Sequence, residues 1–257
     1  MNQPDRAQSP SLAVEAKPRA GALGGGRIAF FGGSFDPPHA GHLAIARAAR
    51  SALRLDRILF APVGAQPLKP AGASASFEDR LEMTRLAIAG EHGFALSLAD
   101  RPRATAGDEQ APNYTIDTLA RLRAELAAGS ELFCLMGADA FFGLRLWHRA
   151  AALPFVAQLI VAARPGQPLD DLRAALPNEL TFVEAPPAAN NAPLRTFVLT
   201  NPAGEQTRMY VLPDLEIPVS ATDIREQLSA APNALAALAA PLPESVAEYI
   251  RAHGLYR

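Results

Sequence analysis

His39 and His42 lie three residues apart where a glycine-rich turn reads into a helix, so both rings can face one ligand. Imidazoles at a helix start suit an anion. The first turn has unpaired N–H groups and the positive end of the macrodipole. Gly32 and Gly33 precede them and let backbone N–H groups approach an anion closely. A second cluster of the same kind stands far downstream: Ser220, Thr222 and Arg225, two hydroxyls and a guanidinium around another helix start. Ser220 and Asp223 also read as a capping box, which accounts for that pair but not for Thr222 or Arg225. Lys69 is the one lysine outside the first 26 residues; it is either a solvated loop lysine or a third group for the same anion.

The elements that must position these groups follow from the pattern. Ile28-Ala29-Phe30-Phe31 reads as a strand, Gly32 to His42 as a turn, and Leu43 to Leu53 as a helix. Arg57 to Val63 reads as the next strand at the spacing of a βαβ unit, which implies parallel strands and a right-handed crossover. Lys69 then leaves the carboxyl end of that strand, the edge where ligands of open α/β sheets sit. Ser76 with Asp79 caps a helix, Phe94 to Ala99 is a strand, Arg101 to Pro112 a polar loop, and a helix starts at Asn113-Tyr114-Thr115 and runs to about Ala128. Thr115 is there either as an N-cap or to hold a ligand carboxylate. Glu131 to Met136 and Phe155 to Ala163 are further strands. The sole tryptophan, Trp147, comes one short helix after a strand end. Core packing is the commoner use of such a residue; its position adds weight to stacking on a ligand. Leu169 to Leu176 is a short helix, and Leu180–Val183, Arg195–Thr200 and Met209–Leu212 are β-like runs. Pro218 to Arg225 starts another helix, and Leu242 to Arg251 is the closing one.

The chain has 257 residues, which fits one α/β domain or two small ones, and is 49% hydrophobic, enough for a sizeable core. Residues 1–26 are polar and rich in Ala, Pro, Gly and Ser, and read as a disordered leader ahead of a single domain, 27–257. Its Gly24-Gly25-Gly26 precedes the first strand and so is a linker rather than a phosphate loop. A net charge of −2 gives no basic field to recruit nucleic acid. No apolar run approaches the length of a membrane span, and the start has no signal-peptide core. Cys134 is the only cysteine, in an apolar run, which fits a reducing cytoplasm. A homo-oligomer is left open.

No GxxxxGK with a following serine or threonine is present, which argues against a P-loop ATPase. No GxGxxG follows the first strand, which argues against ordinary dinucleotide binding. His39 and His42 are spaced three apart with no glutamate between them, and His92, His148 and His253 stand in unmatched contexts, so no protein metal site is expected.

Gly32-Gly33-Ser34-Phe35-Asp36-Pro37-Pro38-His39-Ala40-Gly41-His42 resembles the GG(S/T)FDPxHxGH motif of the nucleotidylyltransferase superfamily, and Val219 to Arg225 resembles its ISxTxIR motif. Asn113-Tyr114-Thr115, Gly137-Ala138-Asp139 with Trp147, Arg164-Pro165-Gly166 and Gly254-Leu255-Tyr256-Arg257 are similar to bacterial nicotinate-nucleotide adenylyltransferases. The resemblance implies a Rossmann-like, doubly wound parallel sheet with a C-terminal helical portion. It also implies transfer of an adenylyl group from ATP to nicotinate mononucleotide, with Mg²⁺ carried on the triphosphate. His39, His42 and Arg225 would be the catalytic donors. The backbone of Gly32, Gly33, Ser34 and Phe35 would hold the reacting phosphates, and Ser220, Thr222 and Arg225 the phosphates that leave. Trp147 would stack on the pyridine ring, and N–H groups near Tyr114, Thr115 and His148 would hold its carboxylate. Lys69 and Asp139 would bind the rest of the nucleotide.

Three residues depart from the pattern. Leu68 stands where a histidine often precedes the lysine, His148 replaces the usual tyrosine after the tryptophan, and Pro38 stiffens a variable position. A nicotinamide-mononucleotide or phosphopantetheine adenylyltransferase would share the phosphate machinery, and a non-catalytic nucleotide-binding regulator would share the fold. The last would have little reason to keep His39, His42, Ser220, Thr222 and Arg225 together.

Overall fold

The computed structural model describes residues 25–68, 72–104, 110–162, 169–186, 194–212, 219–230 and 241–257. All but the last two residues of the expected leader therefore lie outside the described residues, as do Lys69 and Arg164-Pro165-Gly166.

Strand β1 (Arg27–Gly33) leads to helix α1 (Ala40–Leu53), β2 (Arg57–Pro62), α2 (Phe77–Ala87) and β3 (Phe94–Leu96). A two-residue ribbon, β4 (Arg103–Ala104) with β5 (Gln110–Ala111), precedes α3 (Thr115–Glu125). Next come β6 (Glu131–Gly137), α4 (Ala138–Phe142), a 3-10 turn at Leu144–Leu146, α5 (Leu153–Val156), β7 (Gln158–Ala162) and α6 (Leu169–Ala175). The chain continues through β8 (Thr181–Glu184), β9 (Arg195–Thr200), β10 (Gln206–Leu212), α7 (Ala221–Ala230) and α8 (Glu244–His253).

Among the described residues, eight strands form one sheet in the order β3-β2-β1-β6-β7-β10-β9-β8. The pairs from β3 to β10 are parallel, while β9 runs antiparallel to both β10 and β8. The sheet is therefore mixed at one edge, where the sequence suggested only irregular β-like runs. Parallel neighbours need a long crossover, whereas consecutive β8, β9 and β10 pair antiparallel and so turn back on one another. The chain lays β2 and β3 to one side of β1 and returns to place β6 on the other. This reversal opens a crevice at the carboxyl ends of β1 and β6, the usual ligand position in such sheets.

Both faces of the central strands are buried, which explains why they read as continuous apolar runs. Ile28 and Phe30 of β1 enter one core cluster with Cys134, Phe141, Leu153 and Leu159. Ala29 and Phe31 enter the opposite one with Leu43, Ala46 and Ala49 of α1. The spacing of these α1 residues is that of one helix face, and Arg54, in the left-handed region at φ 48°, ends the helix. Truncating Leu43 to alanine would cost about 2–5 kcal/mol. A third cluster joins Met83 of α2 to Ile224 and Leu228 of α7 and to Val246 and Ile250 of α8, giving the expected C-terminal helical portion.

Several boundaries differ from the sequence reading. Gly32 and Gly33 are the last residues of β1, not part of the turn, because they pair with Ala61 and Pro62 of β2. Phe155 and Val156 belong to a helical turn instead of a strand, because Pro154 sits at its start, where a missing N–H costs nothing. Thr115 is the first helical residue of α3; Tyr114 holds the N-cap position. Among the described residues no helix is long and apolar enough to cross a membrane.

Candidate active site

The loop from Ser34 to His39 joins β1 to α1 at the crevice. His39 is the N-cap of α1. Its Nδ1 accepts from the Gly41 N–H at 3.1 Å, while His42 Nδ1 accepts from the His39 N–H at 3.2 Å. This is a capping box built from two histidines. A ring nitrogen that accepts from a backbone N–H has no proton of its own, so each neutral ring carries its proton on Nε2. The rings lie 3.8 Å apart and 39° from parallel, and the His42 ring also sits 5.0 Å from that of Phe35. Burial lowers the pKa of His39 to about 4. Burial, and then the His39 charge, lowers that of His42 well below the usual value. Both are neutral N–H donors at pH 7.

The loop is held from beneath by an arginine. Buried Arg80 of α2 donates from Nη1 to the Ser34 carbonyl at 2.8 Å and from Nε to the Ala75 carbonyl at 3.3 Å. In a planar trans peptide the next N–H points opposite the carbonyl, so the Phe35 N–H faces away from Arg80. Phe35 takes a left-handed φ of 47° with its ring buried against Phe31 and Phe60. Gly32 has no room for a side chain: a Cβ there would stand 2.7 Å from the Phe30 ring. Ser34 donates its hydroxyl to Gln66 at 3.1 Å, coupling this loop to the one that leads towards Lys69.

The second cluster meets the first. Arg225 of α7 donates from Nη1 to the Asp36 carbonyl at 2.7 Å and from Nη2 to Thr222 Oγ1 at 3.3 Å. Ser220 caps α7 by accepting from the Asp223 N–H at 3.1 Å. The two helix starts thus share one loop. An anion there would meet imidazole, guanidinium, hydroxyl and backbone donors together.

A family described as cytidylyltransferase-like matches residues 30–227. A protein of Gloeobacter violaceus named probable nicotinate-nucleotide adenylyltransferase is 40% identical over 234 residues, 90% of this chain and 97% of its own. The chain belongs to the nicotinate-nucleotide adenylyltransferase family. A Xylella fastidiosa protein of the same name is 37% identical over 233 residues, 88% of this chain and 95% of its own. The nicotinic acid mononucleotide adenylyltransferase of Plasmodium falciparum, solved with APC and with NaAD, has the same fold at a TM-score of 0.61. It is 15% identical, and the alignment covers 90% of this chain and 97% of that one.

The residues assigned by sequence to a second substrate in this family fall beyond β6 and at the start of α3. Tyr114 and His148 bring their rings to 4.4 Å. Trp147 is partly buried against the core, and its Nε1 would lie 4.0 Å from a Cβ on Gly143. Asp139 is exposed in the first turn of α4. Thr115 is partly buried at the α3 start. Lys69 lies outside the described residues.

Four residues that sequence reasoning did not assign hold the two ends of the crevice. Buried Asn113 accepts from the Ala65 N–H at 3.1 Å and donates to the Arg101 carbonyl at 3.2 Å, tying the loops after β2 and β3 to the start of α3. Buried Asp100 accepts from Thr118 Oγ1 at 2.5 Å, and burial raises its pKa. Asp36 is buried in the loop between β1 and α1. Arg80 is buried on α2, and no local pattern in the sequence marks it. Among the described residues no three His, Cys, Asp or Glu side chains group as a metal site.

Proposed function

We propose that this protein transfers the adenylyl group of ATP to nicotinate mononucleotide, giving deamido-NAD and pyrophosphate. The observation that carries the reading is the convergence of His39, His42 and Arg225 on the single loop between β1 and α1. An oxygen of the mononucleotide phosphate attacks the α-phosphorus of ATP. The bond from that phosphorus to the bridging oxygen breaks, and pyrophosphate leaves with the electron pair. The attacking oxygen is already ionised, so no general base is required. The protein has to align two anions and neutralise charge in transit.

In this reading the Nε2–H groups of His39 and His42 donate to the reacting phosphates. Being neutral, they stabilise developing charge without forming a tight ion pair with bound ATP, so the contact strengthens in the transition state. The backbone from Gly32 to Phe35 cradles the α-phosphate. Ser220, Thr222 and Arg225 hold the departing phosphates. Mg²⁺ enters on ATP as part of the substrate. The Asp36 carboxylate is already taken up by the Ser74 and Ala75 N–H groups, which suits an ion held by phosphate and water. Carried on the triphosphate, the ion would neutralise charge on the leaving group. Trp147 stacks on the pyridine, the α3 start at Thr115 receives its carboxylate with Tyr114 and His148 beside it, and Asp139 and Lys69 contact the remaining nucleotide.

The test is pyrophosphate release from MgATP with nicotinate mononucleotide, nicotinamide mononucleotide and phosphopantetheine compared side by side. A strong preference for the first is expected. Preference for either of the others would overturn the pyridine-carboxylate assignment.

A further inference from the structure

Tyr256 follows α8 in a left-handed backbone conformation, φ 64°, which is strained for a tyrosine. Its hydroxyl donates to Asp36 Oδ1 at 2.7 Å, across 220 residues of chain. The same carboxylate accepts from the Ala75 N–H at 3.1 Å on Oδ1 and from the Ser74 N–H at 2.6 Å on Oδ2. Asp36 is 4% exposed, and its Oδ2 is 4.0 Å from Nη1 of Arg225. At that separation there is no direct hydrogen bond, although the guanidinium is already bound to the carbonyl of the same residue. A buried carboxylate beside an arginine would ordinarily close to a bidentate pair. Here three of its roughly four acceptor positions are taken, two on Oδ1 by the Ala75 N–H and the Tyr256 phenol and one on Oδ2 by the Ser74 N–H.

We propose that Tyr256 is a positioning residue for Arg225: by occupying Asp36, its hydroxyl keeps the guanidinium charge available to the phosphates of ATP. The inference rests on the adenylyl-transfer reading of this site. Burial, and then the Asp36 charge, push the Tyr256 pKa far up, so the phenol keeps its proton and remains a donor over the working pH range. Arg80 packs beneath the loop, and burial lowers its pKa from an already very high value. The ring of Tyr256 packs on the cluster of α2, α7 and α8, so removing only the hydroxyl leaves its apolar contacts in place.

The experiment is steady-state kinetics of Tyr256→Phe beside wild type, with MgATP and nicotinate mononucleotide varied in turn. Thermal unfolding checks the fold. Wild-type turnover tests the underlying reading on its own. Given that turnover, Tyr256→Phe is expected to raise KM for ATP about fivefold or more, a lost hydrogen bond to a charged group being the change. KM for nicotinate mononucleotide is expected to stay within about twofold, since Arg225 does not touch that substrate in this reading. Adding Asp36→Asn to Tyr256→Phe removes the competing charge and is expected to recover part of the ATP affinity. Unchanged KM for ATP in Tyr256→Phe, an equal rise for both substrates, or further loss in the double variant would each overturn the proposal.

Discussion

His39 and His42 cap the same helix from opposite directions, each Nδ1 taking a backbone N–H, with their rings 3.8 Å apart. In the proposed site the helix cap and the ligand donors are the same two side chains, used through different nitrogens. The two roles separate in His39→Asn. Asparagine is a strong N-cap, and its side-chain oxygen can take over the Gly41 N–H. It is too short to place a donor where Nε2 stood. Stability within about 1 kcal/mol of wild type is expected, together with a fall in kcat on the order of 100-fold, the usual loss for one preorganised donor. His42→Ala is expected to lower kcat by a similar factor with a much smaller rise in either KM. Wild-type turnover in both variants would remove the histidines from the chemistry.

The lowered histidine pKa values set the pH behaviour. A histidine depressed from 6.5 to about 4 protonates more readily in the unfolded chain than in the folded one. Its contribution to stability is therefore complete above pH 6.5 and is lost as pH falls from there towards 4. For His39 the full loss is about 3 kcal/mol at about 1.4 kcal/mol per pH unit. His42, lowered by burial and then by the His39 charge, adds to the loss as pH falls below 6.5. Thermal unfolding from pH 8 to 4 should show a steep decline below pH 6.5, shallower in His39→Asn. The profile of kcat/KM for ATP reports free-enzyme ionisations. It should show no gain on acidification through pH 6.5. A gain there would make imidazolium the active form and the neutral-donor reading wrong.

Local pattern carried the sequence reading where one segment does the whole job. The β1–α1 unit was legible because its strand, glycines and paired histidines are consecutive, and α7 because Ser220 begins it. The meeting of those units was not. Arg225 reaches Asp36 across 189 residues, and no periodicity encodes which carbonyl it finds. Arg80 has the local pattern of any polar residue on a capped helix, yet it is buried under the loop between β1 and α1. The antiparallel run β8-β9-β10 was blurred because its strands are short and one edge strand is largely exposed. The Gly254–Arg257 stretch matched a family pattern without disclosing that Tyr256 turns back onto Asp36.

Trp147 sits partly buried beyond β6. In the proposed site its exposed face stacks on the pyridine. Trp147→Ala is expected to raise KM for nicotinate mononucleotide about tenfold, the scale of one aromatic stack on a base, and to leave KM for ATP within about twofold. Trp147→Phe should restore most of the loss, because a smaller ring still stacks. If ATP binding suffers instead, the pyridine subsite lies elsewhere.

Asn113 joins the α3 start to the loops after β2 and β3 through its amide oxygen and nitrogen, and its own N–H donates to the Ala65 carbonyl at 2.9 Å. Asn113→Ala leaves the Ala65 N–H and the Arg101 carbonyl without those partners, at a cost of about 1–3 kcal/mol for each one left buried. The start of α3 then loses its fixed position relative to β2. If Thr115 and its neighbouring N–H groups receive the pyridine carboxylate, that loss should reduce discrimination between nicotinate and nicotinamide mononucleotides several-fold while sparing KM for ATP. Asn113→Asp keeps the acceptor for Ala65 but cannot donate to Arg101, so an intermediate loss of discrimination is expected. Unchanged discrimination in a folded Asn113→Ala protein would place carboxylate recognition away from the α3 start.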